Sequence, residues 1–282
     1  MKKVRGRLTI LTDNTVPERS DALGEHGFAA FLETGKGNFL FDTGKGKTVV
    51  HNAAVLKRDL KNINKVVLSH AHGDHTGGLP EVLQTLSSKQ IEVFAHPDIF
   101  AERFREKDGE RTYGGIPFAQ GYLEKLGARF VFNKQYGEIE EGVFLTGEVP
   151  RETSFEGGDM GNRFVKREGK IEPDIIWDDQ SLVIQVEKGI LIVLGCAHAG
   201  IVNVINHAIK MSGVDEIYGI VGGTHIGLSG DAQRDQTIAA LRNFKIEHLM
   251  PTHCTGAEAM ALIKNSFDKN FQFSHVGATL NF

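Results

Sequence analysis

The 282-residue sequence predicts an α/β protein, with two β-sheets and helices outside them in one domain spanning 1–282. Three observations predict it. Short β-like runs alternate with helix-like runs along the whole chain. The two halves share an outline: strand hairpins, then a strand ending in polar ligand-type residues, then a helix. No linker-like or low-complexity segment divides the halves, although their local sequences are too different to prove a duplication.

The elements follow in order. Leu8 to Thr12 reads as a strand. Phe28 to Thr34 and Asn38 to Phe41 read as a hairpin, because Gly35-Lys36-Gly37 is a Gly-rich turn signal. Asp42-Thr43-Gly44 closes it. Thr48 to Leu60 carries apolar residues at helical spacing. Lys65 to Leu68 is a short strand that runs directly into His70. Thr76 reads as an N-cap, with a helix over Leu79 to Leu86 behind it. Ile91 to Ala95 is a strand ending at His96-Pro97. From Asp98 to Gly127 the pattern is helical and more polar, broken by the loop Tyr113-Gly114-Gly115-Ile116-Pro117. Phe130 to Asn133 and Val143 to Thr146 are short strands. Gly147 to Ile175 is rich in Gly, Arg and Glu and weakly periodic, which reads as a long functional loop. The stretches near 98–127 and 147–175 are thus expected to be inserted segments that carry specificity. Leu182 to Val186 and Ile190 to Leu194 form a hairpin around Lys188-Gly189. A helix over Ile201 to Met211, a strand over Glu216 to Val221 and a helix over Asp231 to Asn243 follow. His248 to Met250 is a short strand, Ala257 to Asn265 a helix, and Phe271 to Phe273 begins a last strand.

Composition narrows the function classes. The chain is 40% hydrophobic and 24% charged, ample for a sizeable core. Its large apolar side chains are mainly Phe, with 18 Phe, 4 Tyr and 1 Trp. A net charge of −4 argues against a nucleic-acid partner, though not against a local basic patch. Two cysteines, Cys196 and Cys254, give no disulfide framework and point to a reducing compartment. The apolar run Leu8-Thr9-Ile10-Leu11 is too short for a signal-peptide core, and no segment approaches the roughly 20 apolar residues of a membrane span. The expected location is the cytoplasm, with no membrane partner.

The chemistry is concentrated in Val66-Val67-Leu68-Ser69-His70-Ala71-His72-Gly73-Asp74-His75-Thr76-Gly77-Gly78. A buried strand delivers four metal-competent side chains in quick succession. Residues two apart in an extended segment share a face, so His70 and His72 can close on one ion. Gly73 lets the chain bend, and Asp74 and His75 then point at a neighbouring position. Imidazole and carboxylate suit zinc, iron or manganese. Two such ions about 3.5–4 Å apart could share a bridging hydroxide as nucleophile. The helix after Thr76 would aim its N-terminal dipole at the site and favour an anion. A polar turn that merely contains three histidines is a poor alternative in a chain with 12 His.

This H-x-H-x-D-H string resembles the signature of the metallo-β-lactamase superfamily. Phe39-Leu40-Phe41-Asp42-Thr43-Gly44 resembles that superfamily's upstream strand end, where Asp42 would support the ligand loop by hydrogen bonding. The resemblance implies a four-layer αββα sandwich with its site at one edge of the two sheets. Two strand ends offer the distant ligands. His198 follows the Ile190–Leu194 strand, and His253 follows His248-Leu249-Met250-Pro251, which resembles the superfamily's final histidine motif. His225, in Val221-Gly222-Gly223-Thr224-His225, is a ligand, a substrate contact or an acid–base group. The ligand set is therefore His70, His72, Asp74, His75, His198 and His253, holding two divalent ions, zinc first, with iron or manganese as alternatives. The lactamases carry a bridging Asp where this chain reads Leu194-Gly195-Cys196. Cys196 is either a soft ligand or a buried small hydrophobe. Asp178 or Asp179 stands in for a ligand or orients one.

Asp13-Asn14, Glu25-His26-Gly27-Phe28, Gly147-Glu148-Val149-Pro150-Arg151 and Gly195-Cys196-Ala197-His198-Ala199-Gly200 fit one branch, as do Gly222-Gly223-Thr224-His225 and His253-Cys254-Thr255-Gly256. That branch resembles the family containing the archaeal 7,8-dihydropterin-6-methyl-4-(β-D-ribofuranosyl)aminobenzene-5′-phosphate synthase. Within it, Asp74, His225 and His26 are the catalytic candidates, and Asn14, Glu148 and Arg151 the substrate-binding ones. Arg151 would clamp phosphate, with Glu156 and Arg163 on the same loop. The sequence expectation is an enzyme: a metal-dependent hydrolase of a small-molecule ester or phosphoester, acting through a metal-bound hydroxide. The alternatives are a transferase joining a dihydropterin diphosphate to an arylamine phosphate with release of diphosphate, and a non-catalytic metal or redox sensor. The tRNA-maturing branch would need a basic exosite that is not visible, and β-lactam hydrolysis would need a secretion signal. The sequence does not give the oligomeric state.

Overall fold

Alternation of apolar side chains across the strands sorts the chain into layers. In the computed structural model, which describes residues 3–87, 89–157 and 161–282, the strands are β1 (Gly6–Thr12), β2 (Ala29–Thr34), β3 (Gly37–Phe41), β4 (Ile63–Val67), β5 (Ile91–Ala95), β6 (Glu102–Lys107), β7 (Glu110–Tyr113), β8 (Ala128–Phe132), β9 (Gly137–Glu140), β10 (Val143–Leu145), β11 (Arg163–Arg167), β12 (Lys170–Pro173), β13 (Leu182–Val186), β14 (Gly189–Leu194), β15 (Glu216–Gly223), β16 (Lys245–Thr252) and β17 (Thr279–Asn281). The helices are α1 (Val49–Val55), α2 (Gly73–Thr76), α3 (Leu79–Thr85), α4 (Gln120–Lys125), α5 (Ile201–Ser212), α6 (Asp231–Leu241) and α7 (Ala257–Phe267).

A seven-stranded sheet runs in the order β17-β1-β2-β3-β4-β5-β8, and a six-stranded sheet in the order β16-β15-β14-β13-β10-β9. Phe31, Leu40, Val66 and Val93 leave one face of the first sheet and pack on Val49, Ala53, Val82 and Leu123 of its helices. Their chain neighbours Leu32, Phe39, Phe41, Val67 and Phe94 leave the other face and meet Leu182, Ile184, Leu191 and Val193 of the second sheet. Ile190, Ile192 and Leu194 of β14 then pack on Ile201, Val204, Ile238 and Ile263 from α5, α6 and α7. The result is the helix–sheet–sheet–helix order implied by the sequence resemblance. Truncating one of these fully buried phenylalanines to Ala would cost about 3–5 kcal/mol.

Four sequence expectations need correction. The sheets number three among the described residues, the third being four-stranded in the order β12-β11-β6-β7. The stretch 98–127 is not predominantly helical: β6 and β7 form a hairpin there, and only the short α4 is helical. The stretch 147–175 is not simply a loop, because its hairpin β11–β12 pairs with β6 (Val165 opposite Arg103). Propensity is overridden here by a partner strand supplied some sixty residues away. Finally, Phe271 makes one bridge to Leu249, and the last strand is instead β17, which crosses to pair with β1. Ser88 and residues 158–160 lie outside the described residues.

Three adjacent strands run parallel in each main sheet, β3-β4-β5 in the first and β14-β15-β16, at one edge, in the second. Their carboxyl ends therefore share one rim, and the loops leaving β3, β4, β14, β15 and β16 converge there, as ligand-binding loops do in parallel sheets. No helix among the described residues is long and apolar enough to cross a membrane.

Candidate metal centre

The backbone after β4 is tied down on both sides. Asp42, at the end of β3, accepts the Ser69 N–H (2.7 Å) and the Ser69 hydroxyl (2.7 Å). Asp178 accepts the Ala71 N–H at 2.8 Å, and Gln180 donates its side-chain amide to Leu68 O at 3.1 Å. Gly195 is required by this packing, since a Cβ there would sit 2.2 Å from Ser69 Oγ. Thr76 is not an N-cap. It lies inside the single turn α2, its hydroxyl donates to His72 O, and Gly78 precedes α3. The helix expected over Leu79 to Leu86 is present as α3, but it starts after Gly78, and the residues up to Thr76 form the separate turn α2.

The held loop brings His70 Nε2 to 2.9 Å from His72 Nδ1, and the β14–α5 turn brings His198 Nε2 to 3.3 Å from His70 Nε2. These three atoms form one group able to hold an ion. Burial, ahead of the neighbouring charges, holds all three imidazoles well below their ordinary 6.5, so they are neutral at pH 7. Neutral imidazole is the form that binds metal.

A second position adjoins the first. His26 Nε2 lies 3.1 Å, His253 Nε2 3.3 Å and His75 Nε2 3.9 Å from Asp74 Oδ2. His26, Asp74 and His253 again form a group able to hold an ion, and the tilted rings of His70 and His75 lie 4.2 Å apart between centroids. Burial raises the Asp74 carboxyl, but the His75 charge, aided by His253 and His26, outweighs it and leaves the group well below the usual carboxylate range. Burial disfavours the His75 charge, but Asp42 and Asp74 push it up to about 9. His253 is steered by the first strand's end: Asp13 accepts its backbone N–H at 2.9 Å, and Asn14 Oδ1 lies 2.9 Å from its Nδ1.

The donors fit divalent metal. A tetrahedral ion with bonds of about 2.0–2.1 Å needs ligand atoms about 3.3 Å apart, and the first position offers 2.9 and 3.3 Å. Several buried imidazoles meet there with little counter-charge, and His253 Nε2 makes no hydrogen bond of acceptable geometry despite its nearness to Asp74. Such orphaned nitrogens are costly unless something binds them. Four non-glycine residues around the centre, Asp42, Ala197, His225 and His253, hold φ between 49° and 58°. Strain of this kind gathers at functional sites.

Above both positions opens a cleft of about 590 Å³. Its lining includes His26, His225, Cys196 and Cys254 beside the ligands, and a wall of Lys45, Arg105, Tyr113 and Arg163. Arg105, Tyr113 and Arg163 come from the third sheet, and Arg163 Nη1 lies 3.1 Å from His72 Nε2. The His225 ring lies tilted against that of His198, 4.3 Å between centroids, and His225 belongs to none of the ion-holding groups among the described residues.

Other sequence candidates lie elsewhere. Glu148 pairs with His96 (3.0 Å) and Lys134 (3.4 Å), away from the cleft. Arg151 donates to the carbonyls of His198 (2.5 Å) and Ile175, so it clamps the ligand turn from behind. Asn14 faces His253, not the cleft. Glu156 is buried and accepts the Val202 and Asn203 N–H groups at the start of α5. Asp179, pushed up to about 7 mainly by burial, lies 3.9 Å from His70 Nδ1. Sequence reasoning missed Arg103, which is 2% exposed and bridges Asp174 (2.8 Å) and Asp178 (2.6 Å). It also missed Lys45 and Arg105, for which no local signal exists. In the sequence Asp13 stands out only as half of the Asp13-Asn14 motif.

Comparison with known proteins adds the following. Residues 23–234 match the family model described as the metallo-beta-lactamase superfamily. The chain is 30% identical over 284 aligned residues to the 7,8-dihydropterin-6-methyl-4-(beta-D-ribofuranosyl)-aminobenzene-5′-phosphate synthase of Methanocaldococcus jannaschii, covering 98% of this chain and 96% of that one. Among solved structures it is similar to Tm1679, described as a metal-dependent hydrolase of the beta-lactamase superfamily, with a TM-score of 0.81, 26% identity and 98% of each chain covered. Zn²⁺-bound PqqB from Methylobacterium extorquens shares the fold, at a TM-score of 0.56 and 12% identity over 98% of this chain and all of that one.

Proposed function

The chain belongs to the metallo-beta-lactamase superfamily, and from that premise we propose a metal-dependent hydrolase that acts on a phosphorylated small-molecule ester. One observation carries this reading: two adjoining sets of ligand atoms form the floor of a cleft whose wall presents Lys45, Arg105 and Arg163. His70, His72 and His198 would hold one ion, and Asp74, His75 and His253 the other. When bound, a pair of divalent ions supplies Lewis acidity and acidifies water.

The chain's own groups account for the remaining tasks. Arg105 and Arg163 offer forked donors to a phosphoryl group, and Lys45 a point charge. His26 is half-exposed at the cleft mouth, with Nε2 on Asp74, and is placed to hand a proton to the leaving oxygen. His225 lines the cleft next to His198 and orients the substrate. The third sheet covers the floor from one side and restricts water there.

A second reading is favoured by the likeness to the archaeal synthase along nearly the whole chain. In it an arylamine replaces water, diphosphate leaves, and the same basic wall receives it. A panel of phosphoesters and a dihydropterin diphosphate, each assayed with and without an arylamine phosphate, separates the two. Metal-dependent turnover without the arylamine supports the hydrolase. Turnover only in its presence supports the transferase. No turnover of any phosphorylated compound by metal-loaded protein would overturn both.

A further inference from the structure

The proposed chemistry leaves one space beside the metal cleft unused. A cavity of about 140 Å³ lies between the turn that bears His198 and the start of α6. It shares His198, His225 and Leu228 with the cleft, so the two are neighbouring compartments with a common wall. A cavity of about this size accepts a group no larger than a single six-membered ring. Three polar features around it lack partners. The half-buried Gln233 carboxamide enters no hydrogen bond among the described residues. Gly230, the N-cap of the 11-residue α6, offers no side-chain acceptor to the N–H groups of the first turn. His198 Nδ1 is buried without a hydrogen-bond partner, although a metal-bound imidazole ordinarily gives its second N–H to an outer acceptor.

From this lining we infer that the cavity is a substrate subsite for an uncharged amide-type group, an N–H beside a C=O, at the end of the substrate remote from the phosphoryl group. Charge decides the class. Glu156 is the one charged residue in the lining, and no lysine or arginine joins it among the described residues. A carboxylate or phosphate there would meet a like charge without compensation. A cation fares no better, because the α6 N-terminus and ions at the adjoining centre present positive potential. A neutral amide suits both kinds of group. Its carbonyl accepts from Gln233 and from the end of α6. Its N–H donates to the Glu156 carboxylate, which holds the Val202 and Asn203 N–H groups and has further lone pairs. With an ion on Nε2, the neutral His198 ring carries its proton on Nδ1 and is a donor, which again favours a carbonyl.

The inference rests on the reading of a phosphorylated substrate over the metal floor, and separate probes distinguish the two. Zinc-loaded full-length protein is titrated with δ-valerolactam, a six-membered cyclic amide, and binding is followed by ligand-observed NMR. N-methyl-δ-valerolactam removes the donor, piperidinium supplies a cation of the same ring size, acetate supplies an anion, and inorganic phosphate probes the basic wall. The lactam is expected to bind, and its N-methyl form and the two charged ring-site probes to bind about tenfold more weakly or worse. Gln233→Leu should weaken the lactam by about threefold to tenfold, and inorganic phosphate should not displace it. Equal binding of the N-methyl lactam or of acetate, an unchanged Gln233→Leu, or displacement by phosphate would overturn the subsite. Phosphate binding without lactam binding would overturn it and leave the phosphorylated-substrate reading standing. Lactam binding without phosphate binding would do the reverse, and binding of neither would overturn both. The wild-type probe series decides the matter even where the variant folds poorly.

Discussion

The Asp42 carboxylate lies 2.7 Å from His75 Nδ1 and, with its other contacts, takes both the backbone N–H and the hydroxyl of Ser69. One buried side chain thereby ties the two ends of the His70–His75 loop to the end of β3. It also turns His75 Nε2 toward the second position. Outer partners of this kind commonly contribute 10–100-fold to metal affinity.

Asp42→Ala is therefore expected to weaken metal at the second position by about 10–100-fold and, because Ser69 Oγ also lies 2.8 Å from His70 Nδ1, to weaken the first by less. Competition with a chelator of known affinity measures both steps. Asp42→Asn keeps a residue that tolerates the left-handed backbone at φ 58° and should lose less. Equal weakening at both positions would contradict the assignment.

Metal uptake should depend on pH differently at the two positions. His70, His72 and His198 are already neutral at pH 7, because burial lowers them well below 6.5. His75, pushed up to about 9 by Asp42 and Asp74 against its burial, must lose a proton to bind. Affinity at the second position should then rise by up to about tenfold per pH unit below that value, while the first stays flat between pH 7 and 9. Calorimetry in buffers of different ionisation enthalpy counts the protons released at each step.

Arg103 holds the third sheet onto the metal loop, since Asp178 accepts from both Arg103 and the Ala71 N–H. Arg103→Met leaves two buried carboxylates without their cation and should cost about 3–5 kcal/mol of stability. Denaturant unfolding measures it, and a loss under about 1 kcal/mol would contradict a buried network of that worth.

Arg105→Ala and Lys45→Ala should act on substrate capture. Loss of one charged contact to a phosphoryl group is worth about 1.5–3 kcal/mol, less where solvent screens it, so KM should rise about tenfold per variant with kcat changed far less. Unchanged KM with reduced kcat would place these residues elsewhere in the reaction.

The legibility of the sequence follows the range of the interactions. The His70–His75 motif, Asp42 and the strand ends bearing His198 and His253 were readable because ligand spacing and buried strands leave local patterns. The helices α5, α6 and α7 were readable from apolar spacing. The third sheet was not, because β6 and β11 find each other only in three dimensions and each alone is a polar stretch. Arg151 looked like a phosphate clamp and instead holds two backbone carbonyls, a use that no local pattern distinguishes. Asn14 was placed at the site as a substrate contact, whereas its geometry makes it the tether of His253.

The most direct test of the account is the metal content of the purified chain, by elemental analysis after loading and dialysis, beside His198→Ala and His253→Ala. The account predicts about two ions per wild-type chain and about one in each variant, because each removes a ligand from a different position. A wild-type chain that retains no metal, or variants that retain as much as wild type, would contradict the two-position centre on which the proposed chemistry depends.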